Sequence, residues 1–100
     1  MLAPIITNNI NQIKALCEQH KVKDLFVFGS AAKNEMNDKS DIDFVVDFEN
    51  VDPYYFADNY FSLSEKLENL LKRKVEFVTE KYLENKYFIE EVRNTKVKLI

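Results

Sequence analysis

Leu25-Phe26-Val27-Phe28-Gly29-Ser30, ten further residues, and then Asp41-Ile42-Asp43 form the stretch on which the reading of this chain turns. An apolar run of strand length meets a Gly-Ser turn, and a polar loop leads to a second strand carrying two carboxylates two residues apart. Side chains alternate along a strand, so Asp41 and Asp43 project to one face while Ile42 and Phe44 go to the other. Two carboxylates on one face make a cation site. The Gly29-Ser30 turn, with free backbone N–H groups just before a helical start, suits the phosphates of a nucleotide that such a cation bridges.

Outward from this stretch, the pattern predicts alternating helices and strands. Ile5, Ile6, Ile10, Ile13, Leu16 and Cys17 recur at three- and four-residue spacing, which predicts one amphipathic helix from about Ala3 to His20 with Pro4 in its first turn. Ser40 to Phe48 places Ile42, Phe44, Val46 and Phe48 on one strand face, and this strand should pair with Leu25 to Phe28. Asp52-Pro53 is a strong helix start, and Phe56, Tyr60, Leu63, Leu67 and Leu70 mark one face as far as Lys72. Lys74 to Val78 reads as a third strand. Either Thr79 or Asn85 caps a short helix through Tyr87, Phe88, Ile89 and Val92, and Val97 to Ile100 reads as a terminal strand. The order predicts an α+β, two-layer fold: a mixed sheet of about four strands with helices packed against it.

Composition bounds the function. One hundred residues give room for a single domain, 1–100, with 46% hydrophobic and 31% charged residues. A net charge of -3 offers no footprint for a nucleic-acid backbone, so direct nucleic-acid binding is not expected. No apolar run approaches the roughly 20 residues that span a bilayer, and no signal peptide is visible, so neither a membrane nor export is expected and the cytoplasm is the default. The single cysteine, Cys17, cannot form an intrachain disulfide and belongs to the expected core. His20 ends the first helix, where a cation suits the helix C-terminus, and its expected role is structural. A calcium loop around Asn37, Asp38 and Asp41 fails for want of the required Gly and distal Glu.

Glu76 stands between Val75 and Phe77 in the third strand. If those apolar neighbours face the core, Glu76 shares a sheet face with Asp41 and Asp43. Three converging carboxylates repel one another at neutral pH, a cost that a divalent cation removes.

These residues resemble the minimal nucleotidyltransferases of the DNA polymerase beta-like superfamily, whose pattern is Gly-Ser, ten residues, Asp-x-Asp and an acidic residue on a later strand. Here it reads Gly29-Ser30, Ala31 to Ser40, Asp41-Ile42-Asp43 and Glu76, and the likeness extends through Leu25 to Phe28, Ser40 to Val46 and Lys72 to Glu80. The resemblance implies a polymerase beta-like palm that transfers a nucleoside monophosphate, AMP from ATP, to a hydroxyl. It implies Asp41 and Asp43 as ligands of one or two Mg²⁺ ions, Glu76 as third ligand or general base, and Gly29, Ser30 and Lys33 as nucleotide-binding residues. Small proteins of this kind resemble the antitoxin of a toxin–antitoxin pair that adenylylates a tyrosine of a HEPN-family partner. Where such proteins commonly carry a basic residue after Gly-Ser, and then a basic residue followed by glycine, this chain has Ala31, Lys33 and Asn34; where they commonly carry a third Asp, it has Glu76.

Two other readings stay open. The chain could be a binding module that neutralises a partner by complex formation without turnover, or a nucleotidyltransferase with a small-molecule acceptor; a nucleotide sensor is a third variant. Tyr54, Tyr55 and Phe61 lie off the main apolar face of their helix and read equally as core edge or partner surface. Homo-oligomerisation is compatible with all of these.

Overall fold

The computed structural model describes residues 2–100. Its elements run α1 (Pro4–Thr7), α2 (Ile10–Gln19), β1 (Val22–Phe28), α3 (Ser30–Lys33), β2 (Ile42–Phe48), α4 (Pro53–Leu71), β3 (Val75–Val78), a 3₁₀ turn (Glu80–Tyr82), α5 (Lys86–Thr95) and β4 (Val97–Lys98). The four strands form one mixed sheet in the order β3-β2-β1-β4. β1 pairs antiparallel with β2 and β4, whereas β2 pairs parallel with β3 after the α4 crossover. The α+β expectation holds. Among the described residues no helix is long and apolar enough to cross a membrane.

The sheet is covered on both faces. Leu25, Val27, Ile42, Phe44 and Val46 pack with Ile6, Ile13, Leu63 and Leu67 of the helices in one core. Each fully buried leucine contributes about 1.5–3 kcal/mol of transfer free energy. On the other face Phe28 and Val45 pack with Val92 of α5, flanked by Phe26, Val78 and Phe88. The alternation read in β2 is therefore only partly a solvent alternation, because Val45, on the carboxylate face, is itself buried.

Local chemistry sets the helix ends. Asp52 accepts the Tyr54 N–H at 2.9 Å with Pro53 following, and α4 stops at Lys72, which adopts φ 57. Asn85, not Thr79, caps α5, accepting the Tyr87 and Phe88 N–H groups at 3.0 and 3.1 Å. The expected single helix from Ala3 to His20 is instead two. Asn9 takes φ -117, its side-chain amide donates to the Ile5 carbonyl at 2.8 Å, and its backbone N–H turns to Ile6. An asparagine side chain that bonds the backbone locally offers it an alternative to continued helix. Cys17 is fully buried, as expected, which pushes its thiol up to about 11. His20 is structural too: Nδ1 meets the Leu16 carbonyl at 2.7 Å and Nε2 meets Ser62 Oγ at 3.0 Å.

Candidate active site

β1 delivers its last residue, Phe28, opposite Asp43 of β2, and Asp43 lies opposite Glu76 of β3 in the parallel ladder. Cross-strand partners share a sheet face, so Asp43 and Glu76 point to the same side. Asp41 stands just before β2, two residues from Asp43 and on its face. Glu76 is exposed, whereas Asp41 and Asp43 are half-buried.

Electrostatics follow from this crowding. Burial, then the charges of Glu76 and Asp41, push the Asp43 carboxyl up to about 6, with a hydrogen bond to Glu76 and the charge of Glu91 adding to the effect. Ionising Asp43 beside the other acids costs free energy, and a bound divalent cation would remove that cost. Among the described residues, no three His, Cys, Asp or Glu side chains close into a ready-made metal cage. This donor set fits Mg²⁺, which takes one or two carboxylates and completes its shell with waters and substrate phosphates rather than with an all-protein cage.

Gly29 turns the chain from β1 into α3 with φ 69, a conformation that a Cβ disfavours. A Cβ there would also sit 3.2 Å from Asp43 Oδ2, so the turn passes directly over the carboxylate. The Ser30 and Ala31 N–H groups and the Ser30 hydroxyl make no hydrogen bond within the protein among the described residues, which leaves them available to an anion. Lys33 is exposed, with Nζ 3.7 Å from Glu35. Ala31 is buried at 1% exposure and its carbonyl accepts the Ala3 N–H at 2.8 Å, so the position after Gly-Ser has no room for a long basic side chain. Asn34 adopts the left-handed conformation at φ 57, one that glycine and asparagine tolerate.

Two residues that sequence reasoning passed over hold the site together. Arg73 donates to the carbonyls of Asn37 and Ser40 at 2.7 and 3.1 Å, bracing the loop that ends at Asp41. Thr95, at the end of α5, accepts the Gly29 N–H at 3.3 Å. Arg73 was hidden in the run Lys72-Arg73-Lys74, which reads as a solvated charge cluster; nothing local marks Thr95. The doublet Val45-Val46 was the available sign that the carboxylate face is partly covered. A cleft of about 480 Å³ opens farther along the same face beside Asp24, Asp47, Lys81 and Arg93, away from the carboxylates.

Comparison with known proteins gives the family and the shared fold. Residues 10–99 match the family described as the nucleotidyltransferase domain. A Methanocaldococcus jannaschii protein that bears a provisional protein adenylyltransferase name is 40% identical over 74 residues, 74% of this chain and 72% of that protein. A solved structure described as a minimal nucleotidyltransferase superposes with a TM-score of 0.75 at 28% identity, covering 97% of this chain and 95% of the other. The fold is shared as well with a chain from the complex of a tri-AMPylated Shewanella oneidensis HEPN toxin with its MNT antitoxin, at TM-score 0.62 and 22% identity over 94% of this chain and 71% of that one.

Proposed function

The chain belongs to the nucleotidyltransferase domain family, and we propose that it is a Mg²⁺-dependent protein adenylyltransferase of the cytoplasm, the antitoxin of a pair whose toxin is a HEPN-family protein. The observation that carries the reading is the placement of Asp43 opposite Glu76 and beneath the Gly29 turn. The provisional adenylyltransferase name of the 40% identical relative supports AMP as the transferred group. The AMPylated HEPN toxin in the complex that contains the structural neighbour supports a protein acceptor, and the family resemblance implies that its hydroxyl is a tyrosine's.

In this reading Asp41 and Asp43 would hold Mg²⁺, which would neutralise charge on the nucleotide phosphates and raise the acidity of the acceptor hydroxyl. The Ser30 and Ala31 N–H groups and the Ser30 hydroxyl hold the triphosphate, with Lys33 at the rim. The acceptor oxygen forms a bond to the α-phosphorus, the bond to the bridging α,β-oxygen breaks, and pyrophosphate leaves. Glu76, the exposed member of the set, either completes the ligand shell or takes the hydroxyl proton. The chain's own share is placement and field, which is most of the catalysis in phosphoryl chemistry.

Buried Ala31 favours a second reading, a partner-binding module without turnover, because it removes a cation from the phosphate turn. The test is incubation with Mg²⁺, ATP labelled on the α-phosphate and lysate containing the product of the adjacent gene, comparing wild type with Asp43→Asn. Label on the partner with wild type alone supports transfer; label on a small molecule moves the acceptor to that class. A stable complex with no label supports the binding module.

A further inference from the structure

The Gly29 N–H sits at a seam. β4 pairs with β1 at Phe26 and Val27, and the Leu99 N–H carries the contact on to the Leu25 carbonyl, so the ladder runs away from Gly29 and stops short of it. Thr95, two residues before β4, takes over: its Oγ1 accepts the Gly29 N–H at 3.3 Å and donates its own proton to the Glu91 carbonyl at 2.8 Å. A threonine hydroxyl has one proton and two lone pairs, so with the proton committed to Glu91 it must present an acceptor to Gly29.

We propose that Thr95 is a positioning residue of the nucleotide site, tying the last turn of α5 to the phosphate turn so that the N–H groups of Ser30 and Ala31 stay aimed beside Asp43. The inference rests on the nucleotide-binding reading above and adds α5 to the site. With the Gly29 N–H engaged by Thr95, the phosphate donors begin at Ser30. A segment 66 residues away in sequence thereby holds the N–H side of a turn whose carbonyl side is held locally by the Ala32 and Lys33 N–H groups.

Gly29 is the chain's one glycine, so ¹⁵N-glycine labelling gives a single backbone resonance that reports on this bond. The experiment compares wild type, Thr95→Val, which keeps the shape without the acceptor, and Thr95→Ser, which keeps the hydroxyl. It reads the exchange rate of that amide and the dissociation constant for ATP with Mg²⁺. The expected result is slow exchange in wild type and the Ser variant, faster exchange in the Val variant, and ATP binding weakened about 3–10-fold in Val with recovery in Ser, the scale of one neutral hydrogen bond. If the Val variant does not fold, fast amide exchange in folded wild type overturns the proposal, and slow exchange with ATP affinity preserved in Ser supports it. ATP binding by wild type that is unchanged in Val overturns the role of Thr95 alone. No ATP binding by wild type overturns this proposal together with the nucleotide-binding reading.

Discussion

Asp43 and Glu76 face each other as partners across the parallel ladder between β2 and β3, their carboxyl groups within hydrogen-bonding reach. Burial, and then the charges of Glu76 and Asp41, push the Asp43 carboxyl up from its ordinary 3.8 to about 6. A folded-state value above the unfolded one favours the fold when the group is protonated. That contribution is fully present below pH 3.8 and is lost as the pH rises through 6. Asp43→Asn, which never ionises, should therefore be more stable than wild type at pH 8 without metal, by about 1–2 kcal/mol after allowance for solvent screening, and equal to it near pH 3.5. Thermal melts across that range check the sign, and Mg²⁺ should narrow the gap at pH 8 by stabilising wild type alone.

Glu76 is exposed and reaches the carboxylate pair from the edge strand. Glu76→Gln keeps its length and removes its charge, so AMP transfer should fall on the order of 10²-fold while the melting temperature stays within about 2 °C, as expected for a surface position. Glu76→Asp, which restores the acid common in the resembling proteins, should retain transfer within about tenfold of wild type. Single-turnover rates with labelled ATP separate these outcomes.

Gly29→Ala tests the turn. An alanine at φ 69 carries backbone strain and sets its Cβ 3.2 Å from Asp43 Oδ2. The expected cost is about 1–3 kcal/mol of stability, together with weaker ATP binding. Urea denaturation measures the first, and a fluorescent ATP analogue the second. Retained stability and affinity would count against the close approach described here.

Arg73→Met keeps much of the aliphatic stem and removes both hydrogen bonds to the loop. The variant should lose about 1–2 kcal/mol, and the loop should become the first place a protease cuts, at Lys39. Limited trypsin digestion followed by mass spectrometry identifies the site. Cleavage elsewhere, with the loop intact, would show that the bend at Asn37 and Ser40 holds without the arginine.

Much of the fold was legible because its signals are local. The Asp52-Pro53 start, the apolar run ending at Phe28 and the alternation after Asp41 each depend on a few neighbouring residues, and the structure has them where they were expected. The pairing of Asp43 with Glu76 was readable as a shared face, since period-2 alternation carries that information. Asn9 was not readable as a break, because an asparagine on an apolar helical pattern shows its side-chain bond to Ile5 only once the backbone is placed. The covering of the carboxylate face by α5 and the reach of Arg73 and Thr95 depend on contacts between distant segments, which no periodicity encodes.

The α4 crossover has a consequence for how the protein is made. Gly29, Asp41 and Asp43 belong to the β1–β2 pair, which is synthesised first, but Glu76 arrives only after the 19 residues of α4, and Thr95 later still. Domains tend to be built from the N-terminus during synthesis. A nascent chain halted before β3 therefore carries an acidic hairpin without its opposing carboxylate or its brace. In the proposed role, AMP transfer would therefore fall in two steps as the chain is shortened, modestly with the loss of Thr95 and further with the loss of Glu76.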